Sequence, residues 1–254
     1  MLRAYGVTDK GRVRPSNEDC FGVDLGLRLC VVADGMGGHN AGEVAASMAV
    51  ESVMATIRTG AIESAWPFAQ DPNVSATGNL LAGAIHVANR QIYDLAVATP
   101  DYSGMGTTIV AVVERGGLLS IAHAGDSRIY LHDRSGLRQL TEDDSWIAAV
   151  LSKDPNMDPQ TLKAHPMRHA LTNVVGSRPS MTVNLQEMPL AGGERLILTS
   201  DGVHGAVELP QFRQIMAKGG ELQSVATTLM NAALENGSRD NVTVVIADYQ
   251  ADRP

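Results

Sequence analysis

Leu29-Cys30-Val31-Val32-Ala33-Asp34-Gly35-Met36-Gly37-Gly38 is an apolar, β-like run that ends on an aspartate and a cluster of glycines. The same pattern recurs far along the chain. Ile121-Ala122-His123-Ala124-Gly125-Asp126 and Leu196-Ile197-Leu198-Thr199-Ser200-Asp201-Gly202 each finish on an aspartate beside a turn former, and Asp240-Asn241 leads into Val242-Thr243-Val244-Val245-Ile246. A carboxylate at the rim of a buried sheet is costly unless something cationic shares it. Several carboxylates brought to one rim repel each other, so the natural partner is a hard divalent cation with oxygen ligands, Mg²⁺ or Mn²⁺. The chain reads as a metal-dependent enzyme.

Outward from these runs, residues 2–8, 20–23 and 27–33 read as strands, with Asp24-Leu25-Gly26 as a tight connection. A helix starts near Asn40, which can cap it, with Glu43 three residues on. Residues 60–74 form a loop, and Leu81, Ala84, Ile85, Ala88, Ile92 and Leu95 predict a helix over 75–98 that Pro100 ends. Strands follow at 106–113, 118–123 and 128–132. From Glu142 to about Ser180 the pattern breaks into polar, Pro-containing pieces with short helical runs at 146–151 and 159–164, which reads as a mobile insert. Strands return at 182–187 and 195–199, then helices at 210–217 and 222–234, then a strand at 242–247. Blocks of strands interrupted by paired helices predict an α+β fold, two antiparallel sheets packed together with helices outside.

The composition bounds the function. A chain of 254 residues that is 44% hydrophobic can bury a full core, and no linker, repeat or charge block divides it, so a single domain is expected over 1–254. A net charge of −8 with scattered Lys and Arg argues against duplex nucleic acid as partner. No apolar run approaches membrane-spanning length and the start lacks a signal-peptide stretch, so a cytoplasmic protein without a membrane partner is expected. Cys20 and Cys30 lie in strand-like segments and read as small buried hydrophobes.

Eight short stretches then stand in a recognisable order: Arg14-Pro15-Ser16-Asn17-Glu18-Asp19, Val32 to His39, Met105-Gly106-Thr107-Thr108, Gly125-Asp126-Ser127-Arg128, Leu140-Thr141-Glu142-Asp143, Leu171 to Gly176, Thr199-Ser200-Asp201-Gly202 and Ser238-Arg239-Asp240-Asn241. Over nearly its whole length the chain resembles the bacterial metal-dependent protein phosphatases of type 2C, the PPM family. The resemblance implies a four-layer α-β-β-α sandwich with a flap insert at about 142–180 and a two-metal centre at one end of the sheets. By position, Asp34 would bridge both metals, with the Gly35 carbonyl on one and Asp201 and Asp240 on the other. Asp126, with Asp201, resembles the pair that holds a third, weaker metal. Glu18 and Asp19 would act through metal-bound waters, and Arg14 would hold the substrate phosphate. Phosphorylated proteins are the implied partners, among them a cognate Ser/Thr kinase and its substrates, and a monomer is expected.

Each residue also has a plainer reading. A single Asp-Gly is more often a turn than a ligand, and a lone Arg14 is usually a solvated cation. Gly35-Met36-Gly37-Gly38 lacks the pattern of a nucleotide-binding phosphate loop. Animal relatives place a general-acid His directly after the Asp-Gly pair, where this chain has Met36, so His39 is the nearest candidate to protonate the leaving oxygen. His204 is a weaker candidate, and His123 reads as a hydrogen-bonded core residue. Many relatives carry His where this chain has Asp144. The expected activity is hydrolysis of phosphoserine and phosphothreonine through a metal-bridging water; the alternative is a catalytically silent relative that binds phosphoproteins and signals by contact.

Overall fold

The computed structural model describes residues 1–38, 41–61, 70–155, 157–158, 161–162 and 165–251. The chain runs through β1 (Leu2–Asp9), β2 (Asp19–Asp24), β3 (Leu29–Met36), α1 (Ala41–Thr59), α2 (Ala76–Ala98), β4 (Gly106–Thr107), β5 (Ile109–Arg115), β6 (Leu118–Ala124), β7 (Arg128–Asp133) and β8 (Gly136–Gln139). After α3 (Trp146–Lys153) come β9 (Asn184–Pro189), β10 (Arg195–Thr199), α4 (Asp201–His204), α5 (Leu209–Lys218), α6 (Leu222–Glu235) and β11 (Val242–Tyr249). One sheet has the order β1-β11-β10-β7-β8 and the other β2-β3-β5-β6-β9, with β4 added to β3. Every strand pair is antiparallel.

The strand sequences explain the layering. In β3, Leu29, Val31 and Ala33 pack with α1 and α2, while Cys30 and Val32 face the other sheet. In β11, Val242, Val244 and Ile246 meet α5 and α6, while Val245 and Ala247 join the core between the sheets. Both faces of each central strand are covered, so these strands read as continuous apolar runs instead of alternating with polar residues. Three apolar layers result, and the molecule is the expected α-β-β-α sandwich. In α2 the Ser75 hydroxyl caps the helix by accepting the Gly78 N–H at 3.0 Å, and Glu187 from β9 accepts from the Ser75 N–H and hydroxyl. The Cys30 thiol is fully buried and its pKa is pushed up to about 12 by that burial, as a structural cysteine requires.

Several boundaries differ from the sequence reading. β3 continues through Asp34 to Met36 because Gly35 and Met36 pair with Thr107 and Gly106. The connection to β2 is Leu25–Arg28, with Arg28 at a φ of 52°, longer than a three-residue turn. β8 carries one buried apolar residue, Leu137, too few for a recognisable period, and is defined by its pairing with β7. The strand expected at 182–187 sits two residues later, and Pro189 is tolerated at its end because β9 is an edge strand. α4 is a single turn that no periodicity announces. The Asn40 cap, residues 62–69 of the 60–74 loop and most of the 159–164 helical run lie outside the described residues. No helix among the described residues is long and apolar enough to cross a membrane.

Leu198 is fully buried between the sheets, whereas Val97 is 69% exposed at the end of α2. Leu198→Ala should therefore cost about 2–5 kcal/mol in urea denaturation at unchanged slope. Val97→Ala should stay within about 0.5 kcal/mol of the parent, and equal losses for the two would contradict the layering.

Candidate metal centre

The carboxylates meet where the ends of both sheets converge. Asp19 in β2 stands directly opposite Asp34 in β3. The Asp34 backbone is fixed on both sides: its carbonyl accepts from the Thr108 N–H and the Thr107 hydroxyl, each at 2.8 Å, and its N–H donates to the Thr108 hydroxyl at 3.0 Å. A Cβ at Gly35 would overlap the Gly42 carbonyl oxygen, so only glycine lets β3 pass beneath the first turn of α1. Gly202 is confined in the same way by the Asn241 carbonyl, which presses α4, and with it Asp201, against the chain entering β11.

Burial dominates the electrostatics. The Asp19 carboxyl is pushed up to about 7 by burial; hydrogen bonds from the Thr243 and Ser200 hydroxyls to Oδ2, both 2.7 Å, pull it down, and Asp201 and Asp240 push it up again. Asp34 is raised well above the usual carboxylate range by burial and then by Asp19, Asp201, Asp240 and Asp126. Asp201 is raised by burial and Asp240, and lies within hydrogen-bond reach of Asp34. Asp126 is pushed up to about 7 by burial, Asp201 and Asp143. Oδ1 of Asp19 and Oδ1 of Asp201 are buried without any hydrogen-bond partner.

These observations bear on whether a divalent cation fits. The orphaned oxygens and the mutual repulsion call for positive charge, and a set made of carboxylates and a glycine carbonyl suits a hard ion. The residues therefore fit Mg²⁺ or Mn²⁺. Among the described residues no group of three or more His, Cys, Asp or Glu side chains is already gathered in ligating geometry. Asp240 gives one reason: Arg14 Nη2 donates to its Oδ2 at 2.6 Å and the Asn241 N–H to its Oδ1 at 2.9 Å. Arg14 thus lines the cleft with its guanidinium on a carboxylate, and the Oδ2 atom of Asp240 is occupied by that contact.

An open cleft of about 1310 Å³ brings together Arg14, Glu18, Asp34, Asp126, Asp201 and Asp240, with Gly35 in its wall. Asp19 is buried below. Burial raises the Glu18 carboxyl, and Arg14 opposes that shift. His39 lies outside the described residues. His204 is held well below its usual pKa by burial and then by Arg128, with Nδ1 3.4 Å from the Thr199 hydroxyl. His123 is the core residue expected, its Nε2 2.9 Å from the Glu142 carbonyl oxygen.

Several residues that hold this arrangement have no role legible in the sequence. Asn241 accepts the Glu18 N–H at 2.8 Å and donates to the carbonyls of Lys10 and Ser16, tying the loop that carries Arg14 to β11. Arg128 donates Nε and Nη2 to Asp143 at 2.8 and 2.7 Å, and Thr108 and Ser127 share a 2.7 Å hydroxyl contact. His169 reaches the cleft from the 142–180 segment. Polar residues at strand ends look like ordinary turn formers, so only the motif positions of Thr108 and Asn241 hinted at them.

The protein phosphatase 2C family model matches residues 13–237. The chain belongs to the protein phosphatase 2C family. It is 33% identical over 252 residues to the serine/threonine protein phosphatase PstP of Mycobacterium tuberculosis, covering 98% of this chain and 45% of that protein. It is 33% identical over 248 residues to the serine/threonine phosphatase stp of Listeria welshimeri, covering 95% of this chain and 93% of that one. The chain thus spans about half the length of PstP and nearly all of stp. The solved catalytic domain of PstP in complex with two manganese ions superimposes with a TM-score of 0.79 at 30% identity, over 97% of each chain. As a member of this family the chain has the family fold, and its acidic cleft lies within the matched residues except for the stretch Ser238 to Asn241, just beyond them.

The carboxyl of Asp126 moves from an ordinary 3.8 to about 7 on folding. A raised folded pKa gives stability that is present below the unfolded value and lost as pH rises through the folded one. In EDTA, the wild type should therefore lose stability relative to Asp126→Asn between about pH 4 and 7, by on the order of 4 kcal/mol if the whole shift is expressed. Taking the difference cancels the buried histidines, and parallel urea-denaturation profiles across that range would contradict the assigned environment.

Proposed function

We propose that the protein is a metal-dependent phosphatase that hydrolyses phosphoserine and phosphothreonine on proteins, with residues 1–254 acting as one catalytic unit. The observation that carries this reading is the set of buried carboxylates with raised proton affinity and two unpartnered oxygens, placed beside Arg14 in an open cleft. Asp34 would contact two cations, the Gly35 carbonyl one of them, and Asp201 and Asp240 the other. Asp126 with Asp201 would hold a third, weaker one, and Glu18 and Asp19 would act through water. Two divalent cations held there would acidify a bridging water towards neutral pH and offset charge on the phosphoryl oxygens.

The chain's own groups do the rest. Arg14 presents a planar fork to two phosphate oxygens once Asp240 is engaged elsewhere, and Asn241 keeps its loop in register with β11. The openness of the cleft suits a side chain projecting from a protein. His39 is assigned the proton for the leaving oxygen on sequence grounds. The names of PstP and stp support the Ser/Thr preference, and the manganese in the PstP structure supports Mn²⁺, with Mg²⁺ as the alternative. The partners are phosphorylated proteins, among them a cognate Ser/Thr kinase, met in the cytoplasm by a monomer, and the 142–180 flap moves to admit them.

Asp201→Asn should lower kcat by at least about a thousandfold with the fold retained, since the substitution removes a repelling charge. A folded variant with more than about a tenth of wild-type turnover on p-nitrophenyl phosphate at saturating Mn²⁺ would overturn the proposal. Arg14→Ala should reduce kcat/KM about 10- to 150-fold, and Lys there should recover only part. A change under about threefold would return Arg14 to the status of a surface cation.

A further inference from the structure

The turn that carries Asp126 hangs between two adjacent carboxylates. On one side Arg128 is held by both oxygens of Asp143. On the other, Gly125 is anchored twice to Asp144: the Asp144 N–H donates to the Gly125 carbonyl at 2.9 Å, and the Gly125 N–H donates to Asp144 Oδ2 at 3.1 Å. Gly125 has a φ of 99°, a conformation that favours glycine, and because glycine alone does not fix the backbone this anchor sets the direction of the turn.

The same side chain reaches two further stretches. Asn173 donates to Asp144 Oδ2 at 2.8 Å while its other amide hydrogen goes to the Thr182 carbonyl at 2.8 Å. Asn184, at the start of β9, donates to both Asp144 oxygens at 3.1 Å, and the Thr172 N–H donates to the Asp144 carbonyl at 2.8 Å. Asp144 has no ion-pair partner among the described residues; its carboxylate, an acceptor-only group, is matched to N–H donors that converge from three places.

We propose that Asp144 is a positioning residue that locks the Gly125–Asp126 turn to the far arm of the 142–180 segment, so that the Asp126 wall of the cleft and that segment move as one. This rests on the reading of the cleft as the phosphatase site. Asp144 touches neither substrate nor cation; it acts through Gly125. Loss of the carboxylate lets Asp126 relax away from Asp201, which weakens the wall without altering how Arg14 grips phosphate. Asparagine at this position keeps an acceptor oxygen for Gly125 and Asn173, and the Asn184 amide can turn to present its own oxygen.

The test compares wild type, Asp144→Ala and Asp144→Asn by amide hydrogen exchange in EDTA and by p-nitrophenyl phosphate kinetics across a Mn²⁺ series. In Asp144→Ala, exchange should quicken together at 124–128 and 171–174, kcat should fall about 10- to 100-fold, and half-activation should need several-fold more Mn²⁺, with KM within about threefold. Asp144→Asn should stay within about threefold of wild type in every measure. Unchanged exchange at 124–128 in Asp144→Ala, or an Asp144→Asn variant as impaired as Asp144→Ala, overturns the proposal. Should Asp144→Ala not fold, Asn173→Ala removes the bonds from Asn173 to Asp144 and to the Thr182 carbonyl, leaves Asp144 in place, and must still quicken exchange at 124–128; no change there is equally fatal. A wild type without Mn²⁺-dependent hydrolysis overturns the phosphatase reading instead, and the exchange data still judge Asp144.

Discussion

Like charges confined to one dry rim are the constraint around which the molecule is built. Asp19, Asp34, Asp126 and Asp201 all have their proton affinity raised, first by burial and then by neighbouring carboxylates, Asp240 in the case of Asp201. The surroundings are arranged to tolerate this. Two hydroxyls neutralise one oxygen of Asp19, Arg14 covers Asp240, and Thr107 and Thr108 hold the Asp34 backbone so that its side chain cannot retreat. Glycine at 35 and 202 is what lets two backbones approach closely enough to bring Asp34 and Asp201 together.

That arrangement opposes stability and serves chemistry. A buried carboxylate with no partner for one oxygen is a cost to the fold that an apolar residue would not carry. The three apolar layers beneath offset it, because the central strands are covered on both faces and their side chains are fully buried. The charge is placed where the sheets end: Asp19 and Asp34 stand within β2 and β3, and Asp126, Asp201 and Asp240 in short stretches directly beside β6, β10 and β11.

Much of this was legible in the sequence because the same residues carry both signals. The runs 29–33 and 109–113 are apolar throughout and 242–247 is broken only by Thr243, a pattern that strands covered on both faces require, and each leads to or from a site residue. The family motifs located Arg14, Asp34, Asp126, Asp201 and Asp240, and the structure gathers them into one cleft. What escaped has no local signature. β8 exists only through its partner strand, α4 is one turn, and the extension of β3 past Asp34 depends on pairing with residues about seventy positions away. Asp144 looked like a departure in a polar insert; its role emerges only when Gly125, Asn173 and Asn184 converge on it. The pairing of Arg14 with Asp240 was equally invisible, since the two are brought together by the closure of β1 onto β11 and by the Asn241 bonds to the Arg14 loop.

The claim that these carboxylates form a cation site is tested most directly by crystals grown with Mn²⁺ and measured at the manganese absorption edge. The expected result is anomalous density in the cleft against Asp34, Asp201 and Asp240, with the Asp240 carboxylate turned away from Arg14. Crystals whose only anomalous density lies at exposed carboxylates elsewhere, with Asp240 still on Arg14, would contradict it.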